Sequence, residues 1–398
     1  MHCIVCHYAE IGIKGKNRGF FERFLWQNIN LALKKQQIPF EKSVITNERI
    51  VILLDEIYFE KASEIIKNIP GISYFCFALK CKTKVDEIKS TVLEMLQKAD
   101  ANFVNKNLNN KEYTFRISSQ RSDKKFSLTS LQLNEEIGGF VVEKLQKKVK
   151  LKEMDIECFI EVVDEFSYIY TQKQKGVGGL PVGVSGKVVS LMSGGIDSPV
   201  ASFFMMKRGA QVVFAHFHAF PYTNRASIEK VKKIIDILNK FQLKSKIYFV
   251  PFGEIQRAIF EKTQGIFEKQ RIILYRRFMV KLAEKIAKKE NAKAIITGDD
   301  LGQVASQTLD NLFVVSATAK YPIFQPLIGF DKEEIITFAK KINTYELSIS
   351  PCQDVCSRFL PKSPTTKSKI ETVKIIEKQL PSTKLINQAL KNTEILEI

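Results

Sequence analysis

Apolar and polar positions divide the chain at a glycine-rich stretch, Gln172-Lys173-Gln174-Lys175-Gly176-Val177-Gly178-Gly179-Leu180-Pro181. Ahead of it, strand-like patterning appears at Cys3–Tyr8, Val44–Leu54, Tyr113–Ser118, Ile156–Val163 and Ser167–Thr171. The helical period marks Phe20–Leu33, Glu56–Lys67 and Ser130–Gln146. Mixed strands and helices predict small α+β units, with a boundary near residue 63. Beyond the stretch the order becomes regular: strand Lys187–Met192, helix Pro199–Arg208, strand Gln211–Phe217, helix Ser227–Phe241, strand Lys246–Val250, a helical region through Lys289, and strand Ala294–Thr297. Such alternation predicts an α/β domain with a doubly wound parallel sheet, whose ligands bind outside the carboxyl ends of its strands. The domains expected are therefore 1–62, 63–173 and 174–398.

Composition fits that division. At 45% hydrophobic and 26% charged residues, the chain can bury a core in each of two or three domains. No run approaches the roughly 18 apolar residues of a membrane span, and the N-terminus lacks the basic-then-apolar design of a signal peptide. A cytoplasmic protein with no membrane association is expected. Seven scattered cysteines in so long a chain point to reduced thiols rather than a disulfide framework. Lys and Arg number 61 against 43 acidic residues, a formal charge of +18 that favours polyanions. Solvated lysine-rich faces would give the same total, so charge alone leaves a nucleic-acid partner open.

The candidate chemistry starts at Leu191-Met192-Ser193-Gly194-Gly195-Ile196-Asp197-Ser198, where the first strand of the regular half meets a helix. Two glycines let backbone N–H groups approach an anion closely, and the helix N-terminus adds its dipole. Ser193 and Ser198 supply hydroxyls. Asp197 beside phosphate needs an intervening cation, which makes it the candidate holder of Mg²⁺. The plainer alternative is a Gly-Gly turn with a helix-capping aspartate.

This string resembles the pyrophosphate loop (PP-loop) of the adenine-nucleotide α-hydrolase superfamily, whose members split ATP between its α- and β-phosphates and transfer AMP. The Walker lysine pattern is missing, which disfavours a kinase or motor. Further segments resemble one family, the bacterial tRNA 4-thiouridine synthetases or tRNA sulfurtransferases. They are Tyr8-Ala9-Glu10-Ile11-Gly12-Ile13-Lys14-Gly15-Lys16-Asn17-Arg18, His216-Phe217-His218-Ala219-Phe220-Pro221-Tyr222-Thr223, Tyr275-Arg276-Arg277 and Gly298 through Thr308. The resemblance implies ATP contacts at Leu191, Met192, Ser193, Gly194, Gly195, Asp197, Ser198, His216, Phe217, Arg276, Gly298 and Gln307. Arg276 would then serve as a fixed cation for phosphate, and Gly298 would admit the ligand. His216 has a core histidine as its alternative, and Lys332, which resembles a family lysine near the reacting centre, has an ordinary surface lysine. Asp299-Asp300 departs from the family's usual Glu-Ser.

In the N-terminal half, Arg116, Arg121, Lys124 and Lys125 lie with Phe126 in and after one strand, a combination suited to phosphate contact and base stacking. The segment resembles the THUMP module, which in this family grips the tRNA 3′ end behind a ferredoxin-like domain. The alternative is a solvated basic face. Near the C-terminus, Cys352 and Cys356 share a Pro-bounded loop with Arg358 and Lys362, whose charge favours thiolate. By its register with the family's cysteine stretch, Cys356 is the expected persulfide carrier, and Cys352 is a candidate resolving thiol. The likeness is to the form without a C-terminal rhodanese domain, so sulfur is expected straight from a cysteine desulfurase. Cys3 and Cys6, three apart on a strand, face opposite sides and do not suit a metal.

The reaction expected is adenylation of uridine O4 in tRNA by Mg-ATP, then replacement of that oxygen by persulfide sulfur to give 4-thiouridine. The family resemblance also implies a homodimer and a secondary role in sulfur supply for the thiamine thiazole. Rival readings are another PP-loop tRNA-modifying ATP pyrophosphatase, which would need an ammonia source or a cluster-binding cysteine set, and a non-catalytic tRNA-binding protein.

Overall fold

A computed structural model describes residues 1–106, 113–122, 126–220, 225–351, 361 and 363–398, and the chain folds as two units, Met1–Pro181 and Val182–Ile398. The first contains β1 (His2–His7), α1 (Arg18–Lys35), β2 (Lys42–Thr46), β3 (Arg49–Leu53), α2 (Phe59–Ile66), β4 (Tyr74–Lys82), α3 (Val85–Lys106), β5 (Thr114–Arg121), α4 (Ser130–Leu145), β6 (Lys148–Val149), β7 (Ile156–Val163), β8 (Phe166–Tyr170) and β9 (Gln174–Lys175). Among the described residues these strands form one sheet in the order β2-β3-β1-β4-β8-β7-β5-β6, with β9 paired to β4. Strand β4 pairs antiparallel with β1 on one side and β8 on the other, so the parts expected on either side of residue 63 share a sheet. Residue 63 itself lies inside α2, where Ala62, Ser63 and Ile66 are buried.

The run Val44–Leu54, read as a single strand, is a hairpin. β2 and β3 pair antiparallel around Asn47 and Glu48, which adopt φ of 35° and 67°. Positive φ at both central residues matches the right-handed twist of the flanking strands, but no glycine announces the turn in sequence. Asn47 then donates to Asp164, in the β7–β8 turn, at 2.6 Å. A core built from strand side chains, among them Cys3, Val5, Leu53, Cys76, Tyr168 and Tyr170, fills one face. On β1, burial pushes the Cys3 thiol up to about 12 and raises Cys6 as well. The second core packs Ile88, Val92 and Leu96 of α3 and Leu133, Ile137 and Val141 of α4 on β5 and β7.

The second unit runs β10 (Lys187–Leu191), α5 (Asp197–Lys207), β11 (Gln211–His218), α6 (Ala226–Gln242), β12 (Lys246–Pro251), α7 (Gly253–Lys262), α8 (Arg271–Glu290), β13 (Ala294–Ile296), α9 (Leu309–Ser316), β14 (Ile323–Phe324), α10 (Lys332–Lys341), α11 (Tyr345–Ile349), α12 (Ile370–Lys378), α13 (Ser382–Lys391) and β15 (Glu394–Glu397). The sheet order is β14-β13-β10-β11-β12-β15. Pairing is parallel from β14 to β12, as expected from the apolar strands alternating with helices, and β15 adds an antiparallel edge. The chain leaves β10 toward β11 and β12, then returns to β13 on the opposite side of β10. That reversal creates a crevice at the carboxyl ends of β10 and β13, the place where open α/β sheets bind ligands. No helix among the described residues is long and apolar enough to cross a membrane.

Candidate functional site

The glycine loop lies at this reversal. Met192 prolongs the pairing of β10 by donating its N–H to Ala215 O at 2.9 Å. Ser198 then organises the turn: its Oγ accepts the Ser193 N–H at 2.9 Å and lies 3.1 Å from Ser193 Oγ, which accepts the Gly195 N–H at 3.3 Å. Helix α5 begins at Asp197, and Pro199 sits in its first turn, where a missing N–H removes no intrahelical bond. The helix start therefore directs unpaired backbone donors and the positive end of its dipole into the crevice.

Gly298 follows β13 and packs closely against the start of α5. A Cβ there would lie 2.8 Å from Ser198 N, 2.9 Å from Asp197 C and 3.0 Å from Ser198 Cα. Its missing side chain admits the backbone of α5 and so brings the two lips of the crevice together. At Gly194 a Cβ would meet Lys230 Cδ at 3.2 Å.

Charged groups line the same place in two sets. Lys332 Nζ donates to Asp197 Oδ1 at 2.5 Å across the edge of the loop. With its amide oriented to satisfy both ends, Gln303 donates to Asp300 and accepts from Lys332 Nζ at 2.9 Å. Burial raises the Asp300 carboxyl, the charge of Asp197 adds to the rise, and Lys332 opposes it. In the second set, Arg276 donates to Asp299 Oδ2 at 2.5 Å and to Ser306 O at 2.7 Å. Burial alone would raise Asp299, but Arg276 with hydrogen bonds from Thr297 and Gln325 outweighs it and holds the carboxyl below its usual range. Gln307 Nε2 approaches the other Asp299 oxygen at 3.4 Å. Arg276, expected as a phosphate cation, is thus engaged in clamping the segment Gly298 through Gln307.

His216 is fully enclosed and lies beside Met192, whose carbonyl O is 2.9 Å from its Nδ1. A carbonyl can only accept, so Nδ1 carries the proton and Nε2 is left as an acceptor. Nε2 is buried with no hydrogen-bond partner among the described residues, and burial pulls the imidazole down to about 4. The residue is a neutral acceptor at neutral pH, not a fully satisfied core histidine. Phe217 is buried, edge-on to Phe252, and Leu191 is half-buried at the end of β10.

In the first unit, Arg116 is 42% exposed and donates to Leu151 O at 3.2 Å. Arg121, partly exposed at the end of β5, donates to Phe126 O at 3.1 Å and Leu128 O at 2.6 Å. Lys124, Lys125, Cys352 and Cys356 lie outside the described residues. One participant escaped the sequence reading altogether. Lys230, an unremarkable position on a helix, donates to Ser348 O and Ser350 O at 2.8 Å each while its stem covers Gly194.

Comparison with known proteins identifies the family. Residues 183–381 match the family described as Thiamine biosynthesis protein (ThiI), residues 3–76 the ThiI ferredoxin-like domain and residues 82–172 the THUMP domain. The chain is 39% identical over 389 residues to a protein named Probable tRNA sulfurtransferase in Thermus thermophilus, covering 98% of this chain and 92% of that one. A protein of the same name in Geobacillus thermodenitrificans is 38% identical over 396 residues, covering 99% and 95%. A crystal structure described as a 4-thiouridine synthetase–RNA complex with bound ATP superposes with a TM-score of 0.88 at 32% identity, covering 100% of both chains.

Proposed function

Because this chain belongs to the ThiI family of tRNA sulfurtransferases, we propose that it uses ATP to activate O4 of a uridine in tRNA and replaces that oxygen with sulfur, giving 4-thiouridine. The observation that carries the reading is the phosphate-ready loop Ser193–Ser198, set at the sheet reversal with Asp197 and Lys332 joined across its edge.

In this reading the loop and the start of α5 hold the ATP phosphates, while Leu191, Met192, His216 and Phe217 offer backbone groups, a buried acceptor and apolar surface to the adenosine part. Arg276, Gly298 and Gln307 complete the proposed ATP contacts, with Gly298 and Arg276 also holding the lips in register. A carboxylate at a phosphate loop is repelled by its ligand unless a cation intervenes. Asp197, a partly exposed hard oxygen donor already facing a cation, suits Mg²⁺ for this reason. The ion would be held by Asp197 together with phosphate oxygens and would supply charge neutralisation on the phosphates. Lys332 can then turn to the charge developing on the α-phosphate as uridine O4 attacks it and pyrophosphate leaves. Sulfur carried as a persulfide on Cys356 displaces AMP from C4, directly or after release as sulfide. Cys352 is assigned as the thiol that frees the carrier by forming a disulfide.

We divide the chain functionally into a ferredoxin-like part (1–62), a THUMP part (63–173) and the PP-loop part (174–398), with Arg116, Arg121, Lys124 and Lys125 facing tRNA. A cysteine desulfurase as persulfide donor, a homodimer and a cytoplasmic setting complete the proposal. The test combines purified protein, unmodified tRNA, Mg-ATP and a persulfide donor, following pyrophosphate release and 4-thiouridine by mass spectrometry. The wild type should release pyrophosphate in a tRNA-dependent way and form 4-thiouridine. Cys356→Ser should keep the pyrophosphate burst and make no thiouridine. Pyrophosphate release that ignores tRNA, or a Cys356→Ser variant that thiolates normally, overturns the corresponding part.

A further inference from the structure

Asp300, half of the Asp-Asp pair that departs from the family's usual Glu-Ser, follows β13 on one lip of the crevice and is only 3% exposed. Among the described residues it makes no ion pair. Its carboxylate is held by Gln303, whose amide nitrogen reaches both oxygens, one of them at 3.0 Å. The other end of that amide accepts from Lys332 Nζ at 2.9 Å, and Lys332 donates on to Asp197 Oδ1 at 2.5 Å. Asp197, Lys332, Gln303 and Asp300 therefore form one row, with a single cation between two carboxylates. Asp299 cannot stand in for its neighbour, because Arg276, Thr297 and Gln325 already occupy it. A buried carboxylate that meets only a neutral amide is poorly compensated, and it draws a cation set free beside it.

We propose that Asp300 is a positioning residue for Lys332: it receives the ammonium, through Gln303, when Asp197 turns to Mg-ATP. This rests on the adenylation reading above. An ammonium cannot share one carboxylate with Mg²⁺ without repulsion, so Lys332 must leave Asp197 when the metal is held there. At 37% exposed and on a flexible stem, the freed side chain would otherwise swing into water. Asp300 supplies the negative charge that keeps it at the edge of the loop, beside the phosphates whose charge grows during the reaction. The bond already made to Gln303 guides the ammonium there without a search. In the free protein Lys332 rests on Asp197; in the loaded protein it rests on Gln303 and Asp300.

The experiment uses the full-length protein as wild type, Asp300→Asn, Asp300→Ser, Lys332→Met and the double variant of Asp300→Asn with Lys332→Met. Asparagine keeps the shape and removes the charge, and serine gives a second neutral side chain should asparagine disturb folding. Two quantities are read: affinity for α,β-methylene-ATP with Mg²⁺ by calorimetry, and the single-turnover rate of pyrophosphate release with unmodified tRNA at saturating Mg-ATP. Asp300→Asn should slow release about tenfold while affinity changes less than about threefold, and in the Lys332→Met background it should slow release by less than about twofold, because the group it acts through is gone. An equal loss in both backgrounds overturns the proposal and puts Asp300 on the metal or substrate itself, as does a loss of affinity that matches the loss of rate. Unchanged release in both Asp300→Asn and Asp300→Ser overturns it too. A crystal structure of the wild type with Mg²⁺ and α,β-methylene-ATP should show Lys332 Nζ moved from Asp197 to Gln303 and Asp300, and Nζ still on Asp197 refutes the handover. Wild-type protein that binds the nucleotide yet releases no pyrophosphate fails the adenylation reading itself, and the crystal structure then decides the handover separately.

Discussion

Lys332 and Asp197, the first residues of two helices 135 positions apart in the chain, meet at 2.5 Å across the edge of the glycine loop. Their side chains are 37% and 25% exposed, and ion pairs this open contribute only about 0–1 kcal/mol to stability. A structural purpose therefore explains little of the pairing. Asp331 caps α10 in a reciprocal box with Glu334, which holds Lys332 at the helix start independently of Asp197. Lys332→Met should accordingly leave the melting temperature nearly unchanged while reducing tRNA-dependent pyrophosphate release by roughly 10²–10³-fold, the range for loss of one preorganised electrostatic group. Melting curves alongside single-turnover kinetics check it. A large drop in stability with proportionate loss of activity would contradict the assignment.

Gly298 makes a sharper demand, because its neighbours are backbone atoms of α5 that cannot rotate aside. Gly298→Ala must push β13 and α5 apart, at a cost of about 1–3 kcal/mol for overpacking. The displacement would also move the Ser198 network and the loop donors. ATP affinity, measured by calorimetry, should fall at least tenfold. The equivalent change at Gly139, an exposed position inside α4 where a Cβ meets nothing within 4 Å, should leave affinity alone and raise stability by up to about 1 kcal/mol.

The two arginines after Tyr113 should behave differently. Arg116 is exposed and can give up its bond to Leu151 O, so Arg116→Ala should weaken tRNA binding and reduce the salt slope of the binding constant by about one. Arg121 already satisfies two carbonyls of its own loop. Arg121→Ala should lower stability by about 1–3 kcal/mol through those orphaned groups, and weaken tRNA binding with little change of salt slope. Binding titrations across salt concentrations separate the two patterns, and identical slopes for both variants would refute the distinction.

These contrasts mark what was legible in the sequence. The strand–loop–helix at Leu191 to Ser198 could be read because phosphate binding imposes glycines, hydroxyls and a carboxylate at fixed spacing, and the regular alternation after residue 186 identified the parallel sheet. Other features depend on the partner rather than the residue. Nothing about Arg276 says that Asp299 will pair with its guanidinium, and nothing about Gly298 says that a helix start will pack against it. The hairpin at Asn47 and Glu48 was hidden because a positive-φ turn was made without glycine in a continuous apolar run. Lys230 was invisible because a lysine on a helix is the commonest solvated residue. β15, with charged Glu394 and Glu397 at its ends, has too short an apolar signal to be read as a sheet edge.

A buried carboxylate in the first unit yields a pH dependence of known sign. Glu161 accepts from Arg49 and, at 2.6 Å, from Tyr170, and lies 3.2 Å from His7, joining strands β1, β3, β7 and β8 through one side chain. Burial alone would raise its carboxyl, but His7, Arg49 and Tyr170 outweigh it and bring it down from 4.5 to about 2. As pH falls the unfolded chain takes up this proton first. The stabilisation is therefore complete above about 4.5 and is lost progressively toward 2, a difference of about 3 kcal/mol at roughly 1.4 kcal/mol per tenfold. Trp26, the single tryptophan of the chain, sits on α1 with its indole N–H on Ser43 O at 3.2 Å, so its fluorescence reports this unit alone. Glu161→Gln leaves the buried Arg49 without its counter-charge and should already cost about 3–5 kcal/mol at neutral pH. Denaturant titrations followed by Trp26 should then give a steep loss of stability between pH 4.5 and 2 for the wild type and a flatter one for the variant. Parallel pH profiles would mean that other carboxylates govern the acid transition and that Glu161 does not hold these strands together.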